Sequence, residues 1–173
     1  MVILITGASH TGKTLLAQRM LERYGYPYVS MDHLKMGLIR SGQTKLTPED
    51  DEELTAYLWP IVREMVKTAV ENRQNLIVEG CYVPFDWRRD FTAEYLAHIR
   101  FICLVMTDSY IDEHFGDVLS HGSDIESRSD DHCCSPSLLK AENRMYAAGF
   151  TAAGETILRI EEDYLASIEP LLG

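Results

Sequence analysis

The sequence is poor in the features that would send a chain to a membrane, a nucleic acid or a metal cluster. No apolar run approaches the ~20 residues of a membrane-spanning helix, and Met1–Ile5 is too short and lacks the basic flank of a secretory leader. The expectation is therefore a cytoplasmic protein. Lys and Arg number 16 against 27 Asp and Glu, a net charge of −11. An acidic surface repels phosphate backbones and anionic lipid, so neither nucleic acid nor a membrane is an expected partner. The four cysteines, Cys81, Cys103, Cys133 and Cys134, contain no C-x-x-C pair. His132-Cys133-Cys134 invites a metal or redox reading, but adjacent cysteines lack the usual ligand spacing. Structural thiols are favoured. No internal repeat or low-complexity linker interrupts the 173 residues, which suit one domain over 1–173, as a monomer or small homo-oligomer.

What is present is concentrated near the start. Gly7-Ala8-Ser9-His10-Thr11-Gly12-Lys13-Thr14 reads G-x-x-x-x-G-K-[ST], a phosphate-binding loop pattern. Its context fits: Val2-Ile3-Leu4-Ile5 before it suits a strand buried on both faces, and Leu15–Leu21 after it is rich in helix formers. Gly7 and Gly12 would let the backbone turn its N–H groups inward at a helix N-terminus. The expected nucleotide contacts are Gly7, Ser9, His10, Thr11, Gly12, Lys13, Thr14 and Leu15. Lys13 would reach the β- and γ-phosphates of ATP, and Thr14 would ligate Mg²⁺.

Further along, strands alternate with helices. A first helix from Gly12 to Tyr24 should stop at Gly25. A strand over Pro27–Met31 should deliver Asp32 to its carboxyl end, followed by a helix to Ile39. Thr47-Pro48-Glu49-Asp50 has the residues of a helix start with Thr47 as cap. The helix it opens, to about Asn72, should kink near Leu58 because of Pro60. Strands are expected at Asn75–Gly80, Ile99–Met106 and Thr156–Ile160, with helices at Phe85–His98, Tyr110–Leu119, Ser135–Ala148 and Asp163–Leu172. This alternation predicts an α/β fold, with a parallel sheet covered by helices on both faces.

Asp32, at a strand's carboxyl end, could orient or deprotonate an acceptor hydroxyl, or could cap the following helix. Glu79 ends another buried strand and could hold a Mg²⁺-bound water or an acceptor hydroxyl, or anchor its loop; Asp32 could also reach Mg²⁺ through water. Lys35, Arg40, Arg88 and Arg89 are candidate partners for an anionic acceptor, and Gly80 would line the same site. Tyr82, Phe85 and Trp87 could wall an acceptor pocket or serve only packing. The acidic turn Glu49–Glu53 reads as a solvated face complementing the helix dipole. Arg144, and behind it Lys140, are candidates for a second cation.

The chain resembles the P-loop small-molecule kinases, the nucleoside monophosphate, shikimate and gluconate kinase group, over nearly its whole length. Tyr24–Pro27, Ser30-Met31-Asp32 and the segment ending Arg40-Ser41-Gly42 are similar to the first acceptor segment of adenylate kinase. Arg128-Ser129-Asp130-Asp131 matches that family's R-x-D-D, which closes a lid over the triphosphate. The resemblance implies a three-layer fold with a five-stranded sheet in the order 2-3-1-4-5 and an acceptor-binding region over about 32–73. It also implies a short lid over about 120–134, with Arg128 joining Lys13 and Asp32 as the catalytic set. Met36 and Val83 stand where adenylate kinase carries phosphate-clamping arginines, and neither replaces a bidentate guanidinium. Glu79-Gly80-Cys81-Tyr82-Val83-Pro84 instead looks like the E-G-x-x-x-P region of 2-phosphoglycerate kinases and of relatives acting on sugars or antibiotics.

The expectation is transfer of the γ-phosphoryl of MgATP to a small acceptor of 2-phosphoglycerate or sugar type. An adenylate kinase-like activity is one alternative. A nucleotide-dependent regulatory ATPase or switch is the other, although the guanine-reading N-K-x-D and the D-x-x-G motif of GTPases are absent.

Overall fold

The computed structural model describes residues 1–121, apart from the His121 side chain, and 134–173. Its elements run β1 (Val2–Gly7), α1 (Lys13–Tyr24), β2 (Tyr28–Ser30), α2 (Met31–Arg40), α3 (Asp51–Glu71), β3 (Leu76–Glu79), α4 (Ala93–Leu96), β4 (Ile99–Met106), α5 (Asp108–His121), α6 (Pro136–Ala152), β5 (Ile157–Ile160) and α7 (Tyr164–Ile168). Five parallel strands form one sheet in the order β2-β3-β1-β4-β5. This is the α/β class and the strand order expected.

The two-residue side-chain period of a strand divides the core in two. Val2, Leu4, Val78, Cys103 and Val105 face one side and pack on Leu54, Leu58, Val62 and Val66 of α3, with Trp87 and Phe150. Ile3, Ile5, Ile77, Ile102 and Leu104 face the other, against Leu16, Ala17 and Met20 of α1, Ile111 of α5 and Ile168 of α7. Both faces are covered, which is why β1 and β4 read as continuous apolar runs.

Element ends follow local chemistry, and several depart from expectation. Gly25 closes α1 in a left-handed conformation, its N–H donating to Leu21 O at 2.8 Å. Asp163 and Ser135 accept from the N–H groups of Ala166 and Leu138, capping α7 and α6. α6 runs to Ala152, four residues further than expected. Thr47 does not cap α3: Thr47 N–H and Oγ1 both donate to Asp50 Oδ2, at 2.7 and 3.0 Å, closing a turn that delays the helix to Asp51. Nor does Pro60 break it, for α3 is continuous over 21 residues. Pro60 and Ala56, whose carbonyl loses its partner, both lie on the exposed face, so water can satisfy the freed oxygen.

The helix expected over Phe85–His98 is a 3₁₀ turn at Trp87–Asp90 followed by the single turn α4. Phe91 between them is extended and buried, wedged edge-on against Trp59 and Trp87. Aromatic packing there overrides helix propensity. α5 starts two residues earlier than expected and is interrupted at His114.

Asn143 is 1% exposed and joins α6 to the sheet. Its Oδ1 accepts from Met106 N–H at 2.8 Å, and its Nδ2 donates to Leu139 O at 2.8 Å. Asn143→Ala should strand a buried N–H and cost about 2 kcal/mol. A urea titration should show a lower midpoint with an unchanged slope.

Candidate active site

The parallel register brings three strand ends to one edge. Ile5 pairs with Glu79, Ser30 pairs with Glu79, and Gly7 pairs with Leu104. The loop after β1, Asp32 after β2 and Glu79 at the end of β3 therefore meet at the carboxyl edge, where open α/β sheets bind ligands.

The loop is tightly built. Gly7 has φ +146°, and a Cβ there would lie 2.3 Å from Leu104 O. Gly12 has φ +75°, and a Cβ would strike the Tyr164 ring, whose hydroxyl donates to Gly12 O at 2.6 Å. His10 also takes a positive φ of 60°. Thr11 Oγ1 donates to Ala8 O at 2.8 Å, and buried Lys13 donates through Nζ to the same carbonyl at 2.7 Å. Thr14 Oγ1 donates to Glu79 Oε2 at 3.3 Å, so the β3 carboxylate, 1% exposed, is held against the first turn of α1. Leu15 follows, half-buried.

Asp32 is not the cap of α2. Ser30 is at the cap position, and Asp32 lies in the first turn, paired with Lys35 Nζ at 2.7 Å. Lys35 also donates to Tyr82 OH at 2.8 Å, and Tyr82 OH donates to Asp51 Oδ1 at 3.1 Å. This chain of polar contacts ties α2 to α3 and to the loop after β3. Burial, with Asp32 and Asp51 nearby, pushes the Tyr82 phenol up, so it stays a donor at neutral pH. Burial likewise raises the Cys81 thiol; Lys13 pulls it down while Asp32 and Glu79 push it further up. One thiol thus feels three of the residues singled out by sequence.

A cavity of about 1740 Å³ opens from the loop between α2, α3 and the segment after β3. Ser9, His10, Asp32, Lys35, Arg40 and Arg89 line it. Glu79 and Gly80 lie beneath its edge; a Cβ on Gly80 would strike the Met31 side chain at 2.6 Å. Arg88 is turned away. Its guanidinium grips Glu155, with Nη2 to Oε2 at 2.9 Å, and stacks over Trp87. Buried Trp87 serves the core, whereas Tyr82 and Phe85 line the cavity. Arg144 pairs with Asp108 and Lys140 with Asp112, which fastens α6 to α5 rather than facing the loop. Arg128, Asp130, Asp131, His132 and Cys133 lie outside the described residues, as does most of the expected lid. Cys103 is buried, its thiol pushed up to about 12, as a structural cysteine should be.

Two cavity residues escaped the sequence reading. Asp51 was grouped with a solvated acidic turn, yet it accepts from Tyr82. Glu142, on α6, lines the same cavity as Ser9 of the loop and lies near enough to Asp51 to feel its charge. No local motif marks either; only the tertiary packing of α3 and α6 brings them to the loop.

The parallel sheet, its strand order and the glycine loop at its carboxyl edge define the P-loop kinase fold. The sequence matches the family described as AAA domain over residues 2–109, and the chain belongs to that family. No curated protein matches it. Among solved structures it is similar to a sugar kinase from Janibacter sp., at 15% identity and TM-score 0.58 over 99% of this chain and 91% of that one. A deoxyadenosine kinase from M. mycoides shares 14% identity at TM-score 0.58, covering 99% and 97%. A shikimate kinase from Bacteroides thetaiotaomicron shares 16% identity at TM-score 0.56, covering 99% and 96%. The likeness to these small-molecule kinases is one of fold.

Burial and the neighbouring Asp51 raise the Glu142 carboxyl against the pull of the Ser9 N–H and Lys13. A raised folded-state value means the folded chain holds this proton more tightly than the unfolded chain. Its contribution to stability is therefore greatest at low pH and is lost as pH rises through the folded value. Glu142→Gln should accordingly raise the melting temperature at pH 8, and the gain should vanish as pH falls to about 4, near the ordinary carboxylate range. Paired thermal melts across that range check the sign.

Proposed function

We propose that this protein is a phosphotransferase that moves the γ-phosphoryl of ATP to a hydroxyl of a small, sugar-type acceptor bound in the cavity. The supporting observation is the shared edge: the loop carrying Lys13 and Thr14, the Glu79 carboxylate that Thr14 contacts and Asp32 lie at one carboxyl edge of the sheet, beside a cleft that Ser9, His10 and Asp32 line. Loop N–H groups at the start of α1 would hold the triphosphate. Lys13, now on Ala8 O, would turn to the β- and γ-phosphates. Mg²⁺ fits the donor set, because the Thr14 hydroxyl and Glu79 carboxylate are hard oxygen ligands and phosphates and water complete such a shell. Among the described residues no group of three His, Cys, Asp or Glu could form an all-protein site. When bound, Mg²⁺ neutralises charge on the transferring group. Glu79 would orient the Thr14 hydroxyl or a water on the ion.

Asp32, steadied by Lys35, would accept the proton of the attacking hydroxyl. Arg128 would bring a further cation from the lid. The region 32–73 would bind the acceptor within a single domain. Adenylate kinase-like activity is disfavoured because Met36 and Val83 provide no guanidinium, and 2-phosphoglycerate because Lys35, Arg63 and Arg89 are already paired with carboxylates. An ATP-dependent regulatory switch would show turnover independent of any acceptor.

A coupled ADP-release assay with MgATP and a panel of nucleoside monophosphates, phosphoglycerates, shikimate, gluconate and sugars tests the reading. Acceptor-dependent turnover supports it, and ATP binding with acceptor-independent hydrolysis refutes it. Lys13→Ala should abolish transfer in a chain that melts like the parent. Asp32→Asn should lower kcat by about 10²–10⁴-fold while leaving MgATP affinity within a few-fold, as loss of a positioned base requires.

A further inference from the structure

The charge of the cavity carries the reading of the acceptor further. Its wall holds six carboxylates and four Lys or Arg side chains. Three of those cations are matched within the wall: Lys35 with Asp32 at 2.7 Å, Arg63 with Asp90 at 3.6 Å and Arg89 with Asp86 at 2.5 Å. What remains is Arg40, exposed at the end of α2, against Asp51, Glu52 and Glu142. Asp51 accepts from Tyr82 OH, and Glu142 lies near it on the same wall. An anionic acceptor would find one unmatched guanidinium, that of Arg40 at the exposed end of α2, set against three carboxylates.

The same wall suits a cation. Trp59, Tyr82, Phe85 and Tyr146 line it, and aromatic faces beside carboxylates attract ammonium groups. The wall already holds one ammonium group: Lys35 Nζ contacts Asp32 and the Tyr82 hydroxyl. Asp51 lies close enough to hinder ionisation of Glu142, and a cation between the two would relieve that repulsion. The cavity, at about 1740 Å³, also exceeds the roughly 300–1,000 Å³ of an ordinary small-molecule site, leaving room for more than one ring.

We infer that the acceptor is a polyhydroxylated molecule bearing at least one protonated amine, held by Asp51 and Glu142 against the aromatic wall of the cavity. The inference rests on the phosphotransferase reading above. The transfer is balanced in the ordinary way: an acceptor hydroxyl oxygen bonds to the γ-phosphorus, the bridge to ADP breaks, and the hydroxyl proton goes to Asp32.

The test is ADP release with matched probes: glucosamine, neamine and kanamycin A as amines, trehalose as a neutral polyol, and 2-phosphoglycerate and 6-phosphogluconate as anions. At least one amine should show kcat/KM tenfold or more above every neutral and anionic probe. Asp51→Asn, which keeps an acceptor for Tyr82, should raise the KM of that amine at least tenfold with the KM of MgATP unchanged. Glu142→Gln should move the amine KM in the same direction, so the test survives if one variant folds poorly. Preference for an anion or for trehalose, or an amine KM unmoved by both substitutions, overturns the inference and leaves the phosphotransferase reading standing. Bound MgATP without turnover of any probe overturns both.

Discussion

The structure depends on one geometric constraint: β1, β2 and β3 run parallel and in a register that ends them together. Because Ile5, Glu79 and Ser30 share a level, the loop of residues 7–14, the β3 carboxylate and the first turn of α2 converge without any long excursion of the chain. Parallel strands require crossovers, and the crossovers cover both faces with helices. The buried sheet is therefore the rigid frame, and the polar groups gather at its rim. The most buried polar residues near the loop, Thr11, Lys13 and Glu79, are each held by named partners or lie on neighbouring backbone. That is how such groups can be removed from water at tolerable cost.

Charge is divided unevenly between surface and site. In the proposed reading a chain of net charge −11 would hold triphosphate oxygens with backbone N–H groups and the buried Lys13 rather than with a basic patch. In the cavity beside the loop the acidic character persists, and Arg63 and Arg89 are tied to carboxylates of the same wall.

The fold was legible because its signals are local. The glycine loop between an apolar strand and a helix, and the carboxylates at strand ends, fix which residues reach the rim. Boundaries failed where a side chain outside the local pattern intervened. Asp50 captured Thr47 and moved a helix start, and Phe91 pinned by Trp59 and Trp87 broke a helix that propensity favoured. Site residues divided in the same way. Asp32 and Glu79 announce themselves by position along a strand, whereas Arg88 could not be separated from Arg89 until Glu155 was seen to hold it. Glu142 and Asp51 have no signature at all, since their roles arise from helices that pack far from the loop in sequence.

The hydroxyl of Tyr164 resting on the carbonyl of Gly12 links positions 152 residues apart. In the order of synthesis Gly12 therefore long precedes the residue that contacts it. A ribosome-bound chain carries the whole glycine loop long before it carries the ring that buttresses it. The loop's backbone is thus braced only once α7 has docked. A chain made only as far as β5 therefore lacks the brace that fixes its loop.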